Sequence, residues 1–273
     1  MNGNRSTNGR RFMDGRRSTN RRRFLGSVVG VGALGAAGCL ASASPSPPIV
    51  PEDALDDGGW ELDETVQEEA FSETYAGQEL TATATTELYT NVALREELAE
   101  KTLGEVADAP AVFFASRVTF DPDLTNLPGG VGRDQVVDEV EANARSTLED
   151  RMAANGVEGT DTVAEGELTV DTGETARRTD LAGTLPFAPI AVPVTDDRTV
   201  ELDTDAVPVA GRLGVWHAGE SVLVGGGAFP SENVAEHFEE ELSSAISVSI
   251  DVDLGLEPDA YETALLDLVR ALE

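Results

Sequence analysis

The chain has 273 residues, of which 19 are basic and 51 are acidic, so its formal net charge is −32. Eight arginines and one acid precede Cys39, which leaves 11 basic and 50 acidic side chains from Cys39 onward, a net charge of −39. Nucleic-acid binding needs clustered Lys and Arg that meet phosphates, and the only such cluster lies ahead of Cys39, so nucleic acid is excluded as an expected partner.

The acidic charge predicts a protein that works in concentrated salt. At ordinary ionic strength a charge of this size repels itself and opposes compaction. Molar salt shortens the Debye length to roughly 3 Å and screens most of that repulsion. Lys101 is the only lysine, and the acids alternate with periodic apolar residues instead of forming one block. This distribution favours a folded halophilic protein over a disordered acidic tail.

The first 38 residues are predicted to be a twin-arginine (Tat) signal peptide. A basic segment precedes an apolar run, 26–37, that is too short to span a bilayer. The Tat translocase is therefore an expected partner during export. A repeated RSTN, at 5–8 and 17–20, makes Met13 an alternative translation start. The residues that match the Tat pattern are Arg21, Arg22, Phe24 and Leu25.

Cys39 is the only cysteine and is the predicted site of lipid attachment. Small residues, Ala36-Ala37-Gly38, precede it as in a lipoprotein cleavage site. A buried structural cysteine is the alternative. Residues 39–59 are rich in Ser, Pro and acids and are expected to be an extended tether. Together these features predict a protein attached to the membrane by lipid, on its extracytoplasmic face.

Residues 60–273 are predicted to form a single α+β domain, a largely antiparallel β-sheet packed with helices in an α/β sandwich. In chain order, the alternating and helical patterns predict strands at 60–62 and 71–89, followed by a helix at 92–103 that is capped by Asn91. They next predict a strand at 112–120, a loop at 127–132 and a helix that begins at Asp134 and ends at Asn155-Gly156. They then predict strands at 163–170, 175–185, 198–202, 207–217 and 220–229, with a tight turn at 217–220 between the last two. An acidic helix at 231–242 and a strand at 246–252 are predicted to follow. The last predicted element is a helix from Pro258, whose buried stripe is Tyr261, Leu265, Leu268 and Leu272.

Trp216 and His217 are the candidate ligand-binding residues. His217, next to an aromatic ring, is suited to carry a proton or contact a ligand, although a strand-end hydrogen bond explains it as well. The other histidine, His237, falls in the predicted acidic helix and is expected to be solvated. No cofactor, metal site or catalytic residue is predicted, because no Cys/His cluster, P-loop or known catalytic motif occurs.

Three further motifs have structural explanations that we favour over functional ones. Gly225-Gly226-Gly227 lacks the context of a phosphate-binding loop and is expected to mark close packing or a bulge at a strand end. Asp251 and Asp253 do not have the spacing of a calcium loop. Arg177-Arg178 is expected to pair with nearby acids, and Asp196-Asp197 to form a hairpin turn.

The chain after Cys39 contains seven segments that occur together in one known family, namely GWEL, VFFASRVTF, LPGGVGR, VDTGETAR, LGVWH, VLVGGGAFP and VSIDVDLGL. Together they resemble a family of Tat-exported lipoproteins of halophilic archaea whose domain has no assigned function. The resemblance covers nearly all of the chain after Cys39 and implies a location and a fold, but no activity. The order of elements is more loosely similar to Mog1/PsbP-like domains, a fold-level analogy.

The sequence therefore favours a non-enzymatic surface lipoprotein that binds a ligand or partner or contributes to the envelope. One alternative is an accessory factor of a membrane complex. Another is an envelope enzyme of unrecognised type, in which His217 and nearby carboxylates are the only candidates for catalysis.

Overall fold

The computed structural model describes residues 46–75, 77–101, 111–124, 133–186, 190–195, 198–202, 206–243 and 246–273. The predicted signal peptide, Cys39 and the predicted loop at 127–132 lie outside the described residues.

Four helices and eleven strands make up this part of the chain. The helices are α1 (Glu52–Gly58), α2 (Val92–Lys101), α3 (Arg133–Ala154) and α4 (Pro258–Arg270). The strands are β1 (Trp60–Tyr75), β2 (Gln78–Asn91), β3 (Val112–Asp121), β4 (Glu158–Thr169), β5 (Thr175–Leu185), β6 (Ile190–Thr195), β7 (Arg198–Leu202), β8 (Val207–Ala218), β9 (Ser221–Pro230), β10 (Ala235–Ser243) and β11 (Ile246–Asp253).

Seven strands form one antiparallel sheet, in the order β1-β2-β3-β9-β8-β5-β4. The pairs β6-β7 and β10-β11 are separate two-stranded hairpins. Neighbouring strands in the sheet are mostly consecutive in the chain, except where β3 meets β9 and β8 meets β5. This sheet with its helices confirms the predicted α+β class.

The sheet has a hydrophobic core on each face. On one face, the apolar stripe of α3 packs with Leu80, Val118 and Val222. On the other face, α4 packs with Phe113 and Leu223, and α2 contributes two leucines. Each central strand supplies alternate side chains to the two cores, as the two-residue period of a strand requires. The buried residues of α3 are Val136, Val137, Val140, Leu148 and Met152, and those of α4 are Leu265, Leu266, Leu268 and Val269.

The glycine triplet of β9 lies in the middle of that strand, not at its end, and allows the close packing that was predicted. A Cβ on Gly225 would be 2.6 Å from Leu272 Cδ1, so the missing side chain lets the end of the α4 segment approach the sheet. A Cβ on Gly227 would be 2.1 Å from the carbonyl oxygen of Val112 in the neighbouring strand. Glycine is required at this position by direct backbone approach.

The helix predicted at 231–242 is wrong, because residues 235–243 form strand β10. Val234, Phe238 and Leu242 have helical spacing, but the chain instead pairs with β11, with Phe238 opposite Ile250. β11 is rich in β-branched residues, and pairing satisfies the backbone groups of both strands. Tertiary pairing has overridden a weak helical preference. His237 therefore lies in a strand, and the position of its side chain falls outside the described part.

Two further boundaries and one whole strand differ from prediction. β1 extends from Trp60 to Tyr75, and the turn before β2 falls inside the predicted strand 71–89. β4 begins at Glu158, before the predicted residue 163. β6 was not predicted, because Pro193 lies within it and proline argues against a strand interior.

The structured region begins before Trp60, inside the segment predicted to be tether. Residues 52–58 form α1, and Val50 is buried against the α4 core. The Ile49 N–H donates to the Glu273 carbonyl at 2.7 Å, and the Glu273 N–H donates back at 3.1 Å. Ile49 and the residues that follow it therefore do not belong to the predicted tether.

The cap predicted for α2 is confirmed. The Asn91 side-chain oxygen accepts the backbone N–H of Leu94 at 2.9 Å, and the side-chain amide donates to the Gly58 carbonyl at 3.0 Å. Lys101 pairs with Glu97 at 2.7 Å, and its ammonium also donates to the Leu254 carbonyl at 2.8 Å. The one lysine of the chain therefore joins α2 to the segment after β11.

Candidate functional site

The two predicted ligand-binding residues point to opposite faces of the sheet. Trp216 is 2% exposed and belongs to the core beneath α4. Val215, its neighbour in β8, belongs to the core beneath α3, and alternation places His217 on that same α3 face. The structure therefore does not bring the two side chains together into one site.

Trp216 contributes to an open depression of about 400 Å³ at the β8–β9 turn. Two carboxylates, Glu174 and Glu273, also line this depression, together with the backbone around Gly219. Little of the indole is exposed to an incoming molecule. The depression offers a wide opening but few directed polar groups.

His217 has an unusual environment for an imidazole. Both ring nitrogens are buried, and neither has a hydrogen-bond partner among the residues that the structure describes. A neutral imidazole carries one donor and one acceptor, and leaving a buried polar group unpaired costs about 1–3 kcal/mol. We therefore expect His217 to weaken the fold at this position.

Replacing His217 with phenylalanine is expected to raise the free energy of unfolding by about 1–3 kcal/mol, because an apolar ring removes the unpaired nitrogens. Chemical denaturation in molar salt measures the change. Thr85→Val is the matched control, since the buried Thr85 hydroxyl also lacks a partner. If Thr85→Val raises the free energy of unfolding and His217→Phe lowers it, the imidazole nitrogens of His217 are hydrogen-bonded in solution.

A better-formed site lies between α3 and the sheet, and we call it the α3 cleft. Its volume is about 60 Å³. Small side chains face one another here, with Ala84 on β2, Ser116 on β3 and Ala144 on α3, so the helix and the sheet do not close the space between them. Larger apolar residues form the walls, including Phe71, Phe114, Val118, Val140, Leu148 and Val224.

A β-bulge in β1 shapes the mouth of the α3 cleft. Residues three apart in a regular strand point to opposite faces, but a register shift between Glu69 and Phe71 turns both Glu68 and Phe71 toward the cleft. The Ala70 carbonyl accepts a hydrogen bond from the Asn143 side chain of α3 at 3.2 Å. This bond joins the edge strand to the helix that covers the cleft.

Two oppositely charged side chains line the cleft without forming an ion pair within the described part of the chain. Arg151 of α3 and Glu68 of β1 both line it, and neither has an ion-pair partner within the described part of the chain. Other described arginines, such as Arg177, Arg178 and Arg212, contact carboxylates.

The wall of the cleft also contains one hydroxyl pair. The Thr86 hydroxyl donates to the Ser116 hydroxyl at 2.9 Å. Ser116 is 6% exposed, and its own proton has no acceptor among the described side chains. The cleft thus combines apolar walls, a hydroxyl donor and two rim charges, the composition typical of a small-molecule site.

The arginine pairs of β5 are structural, as predicted. Arg177 contacts Asp138 and Glu141 of α3, and the hydrogen bond to Asp138 is the largest cause of the raised pKa of the Arg177 guanidinium. Arg178 makes two hydrogen bonds with Asp180, at 2.7 and 2.9 Å. The contacts of Arg177 join β5 to α3, whereas those between Arg178 and Asp180 lie within β5.

A smaller network completes the α4 side of β5. Arg212 donates to Glu262 of α4 at 2.8 Å and lies 5.5 Å from the centre of the Phe229 ring. With Arg178 and Asp180, it forms a group of two cations and two anions. The charges cancel within the group, so it offers no free charge to a ligand.

The predicted calcium alternative at Asp253 has a structural explanation. Its carboxylate accepts hydrogen bonds from Asn233 at 2.9 Å and from the Gly255 N–H at 2.8 Å. These two bonds, in that order, lower the pKa of Asp253. No cluster of three or more His, Cys, Asp and Glu suited to a metal ion occurs within the described ranges.

Sequence reasoning missed the α3 cleft, although α3 carries one indication of it. Asn143, Thr147 and Arg151 recur every four residues and form a polar line beside the apolar stripe of the helix. Arg151 also has no acid three or four residues before it. The contribution of Glu68 depends on the bulge in β1, which no local pattern reveals.

A family model described as Domain of unknown function (DUF6517) matches residues 47–273. None of the curated proteins and none of the solved structures matches the chain, so the likeness to Mog1/PsbP-like domains stays a prediction. None of the described helices is long and apolar enough to cross a bilayer. The family match includes every helix and strand described above, and the chain therefore belongs to the DUF6517 family, whose domain has no assigned function.

Proposed function

We propose that this protein is a lipid-anchored domain on the extracytoplasmic face of a halophile's membrane, and that it binds a small ligand in the α3 cleft. Export is supported by the arginine pair at residues 21 and 22, and anchoring by the position of Cys39 after small residues. The net charge of −39 supports a salt-rich environment. The observation that carries the binding function is the α3 cleft itself.

An unfilled cleft lowers the stability of the fold, and this supports a functional role for it. Removing core atoms costs about 24 cal/mol for each Å³ of void, so a space of 60 Å³ corresponds to about 1.4 kcal/mol. A larger residue at Ala84 or Ala144 would occupy part of this space. A preformed apolar space with a few polar groups is the usual form of a small-ligand site.

Anchoring is tested by replacing Cys39 with alanine. Wild-type protein is expected in the membrane fraction and accessible to protease added to intact cells, whereas Cys39→Ala is expected in the medium. An Arg21→Lys, Arg22→Lys variant is the control for export and should remain inside the cell. Retention of Cys39→Ala in the membrane fraction would contradict the lipid anchor.

Binding is tested by what the protein carries when it is purified from its own cells. Mass spectrometry should find a small molecule on the wild type that is depleted on Ala84→Val, since two added methyl groups fill the cleft and suit a strand. Ala164→Val, on the exposed edge strand β4, is the matched control. Equal loads on all three proteins would contradict binding in the α3 cleft.

A further inference from the structure

We infer that residues 68–72 of β1 form a gate over the α3 cleft, and that the hydrogen bond from Asn143 to the Ala70 carbonyl holds this gate closed. This inference rests on the proposed binding function and adds how a ligand enters and leaves the cleft. It follows from the place of the segment at the edge of the sheet, from its interrupted pairing with β2 and from its contacts with α3.

Segment 68–72 closes the side of the cleft where α3 is least attached to the sheet. The helix packs mainly against β4, β8 and β9, and less against β1. β1 is an edge strand, and Glu68, Ala70 and Phe71 are its residues at the cleft. The central strands β2, β3 and β9 supply the rest of the sheet wall. Movement of the segment away from α3 therefore opens the cleft to solvent and leaves the central strands in place.

The bulge in β1 weakens the pairing of this segment with β2. Glu69 is paired with Thr83 and Phe71 with Ala82, so Ala70 has no partner in the ladder. On its other side, β1 has no neighbour among the strands that the structure describes. The segment can therefore separate from β2 with the loss of few backbone hydrogen bonds, and such local opening needs less free energy than global unfolding.

Two contacts of the segment favour the closed state. The Asn143 side-chain amide donates to the Ala70 carbonyl at 3.2 Å, at the long end of the usual range of roughly 2.7–3.2 Å. The half-buried ring of Phe71 packs at the margin of the core beneath α3 and lines the cleft. Both contacts can break while the buried stripe of α3 stays packed.

The helix is held more firmly than the segment. Its Glu141 carboxylate accepts hydrogen bonds from the Thr179 hydroxyl at 3.0 Å and from Arg177 at 3.4 Å, both on β5. Displacing α3 would break these bonds and expose the core beneath it, whereas displacing segment 68–72 breaks one side-chain hydrogen bond to the helix. The segment is therefore the moving part.

The gate is tested by the rate at which methyl methanethiosulfonate, a small thiol reagent, modifies a cysteine placed in the cleft. The full chain carries Cys39→Ala, so the introduced thiol is the only one. Ser116→Cys places it in the cleft, at a residue 6% exposed. Ala115→Cys, the next residue of β3, places it in the core beneath α4, at a residue 0% exposed. Ala164→Cys is exposed on β4.

In molar KCl the thiol in the cleft is expected to react at an intermediate rate. Ser116→Cys should react at least about tenfold more slowly than Ala164→Cys, because the gate is mostly closed, and at least about tenfold faster than Ala115→Cys, which only global unfolding exposes. A factor of ten corresponds to about 1.4 kcal/mol between the states that are compared. Circular dichroism confirms that each variant is folded.

Two further substitutions separate opening of the gate from global unfolding. Asn143→Leu removes the donor and should speed the modification of Ser116→Cys about two- to tenfold, the factor that loss of a hydrogen bond of about 0.5–1.5 kcal/mol produces. Leu94→Ala weakens the core on the other face of the sheet. It should speed the modification of Ala115→Cys at least about tenfold and leave Ser116→Cys unchanged, since that core stays packed when the gate opens.

Three results would overturn the gate. Reaction of Ser116→Cys as fast as Ala164→Cys would show that the cleft is always open. An equal response of Ser116→Cys and Ala115→Cys to Leu94→Ala would show that only global unfolding exposes the cleft. An unchanged rate with Asn143→Leu would show that its hydrogen bond does not hold the segment.

These rates are measured without a ligand, so they separate the gate from the binding function. If the gate fails while purified wild type still carries a molecule that Ala84→Val lacks, the binding function stands. If the expected rates are found and no molecule accompanies the purified wild type, the gate stands and the binding function fails.

Discussion

Replacing Gly227 with alanine is expected to abolish cooperative folding. The added Cβ would lie 2.1 Å from the Val112 carbonyl oxygen and 2.9 Å from a methyl group of Leu265. The first contact is with the backbone of β3, so no side-chain rotation relieves it, and β3 and β9 must separate at the centre of the sheet. The expected cost exceeds about 4 kcal/mol, a large share of a typical stability of 5–15 kcal/mol. Thermal and chemical unfolding in molar salt measure the loss.

Gly166→Ala is the matched control for Gly227. Gly166 is also a strand residue, but it lies in the edge strand β4, and a Cβ there would meet no atom within 4 Å. Its replacement should change the free energy of unfolding by no more than about 1 kcal/mol, in the direction of greater stability. A Gly227→Ala protein as stable as Gly166→Ala would contradict the close approach of β9 to β3.

Removal of salt is expected to unfold the wild-type domain. In dilute buffer the net charge of −39 is unscreened, and its repulsion opposes a stability that is itself of order 5–15 kcal/mol. In molar KCl the repulsion is screened at distances beyond roughly 3 Å. Circular dichroism across a range of KCl concentrations should therefore show a cooperative fold only at high salt.

Variants of edge strand β1 test whether charge repulsion causes the salt requirement. It carries six acids and no basic residue over Trp60–Tyr75. Neutralising four of them outside the α3 cleft should lower the KCl concentration at which the domain folds, with little change in stability at molar salt. A wild type that is fully folded without salt, or a variant with an unchanged salt requirement, would contradict the role of repulsion. The four substitutions are Glu61→Gln, Glu64→Gln, Glu69→Gln and Glu73→Gln.

The elements that could be predicted from the sequence are those whose side-chain pattern agrees with their burial. β3 alternates in accessibility along its length, and α4 has an unbroken apolar stripe with Pro258 in its first turn. Their local sequence preference and their tertiary environment favour the same structure, so the sequence pattern alone predicts the element. The same agreement made the cap at Asn91 and the partners of Arg177 predictable.

The elements that could not be predicted depend on partners distant in sequence. Residues 235–243 have helical spacing but pair with β11, and α1 lies in a segment whose Ser, Pro and acid content suggested an extended chain. The candidate site follows the same rule. Trp216 and His217 are adjacent in sequence yet face opposite cores, whereas Glu68 and Arg151 are far apart in sequence and line one cleft.

The backbone pairing of Ile49 with Glu273 has a mechanical consequence when the chain is pulled from its N-terminal side. A pulling force on the chain ahead of Ile49 first meets these two hydrogen bonds and the buried Val50. Only after they break does the force reach Trp60, where β1 is paired on one side alone and would otherwise peel from β2 one hydrogen bond at a time. The pairing therefore directs tension into the end of the chain that follows α4 and shields this edge of the sheet, together with the Glu68 side of the cleft, from being pulled open.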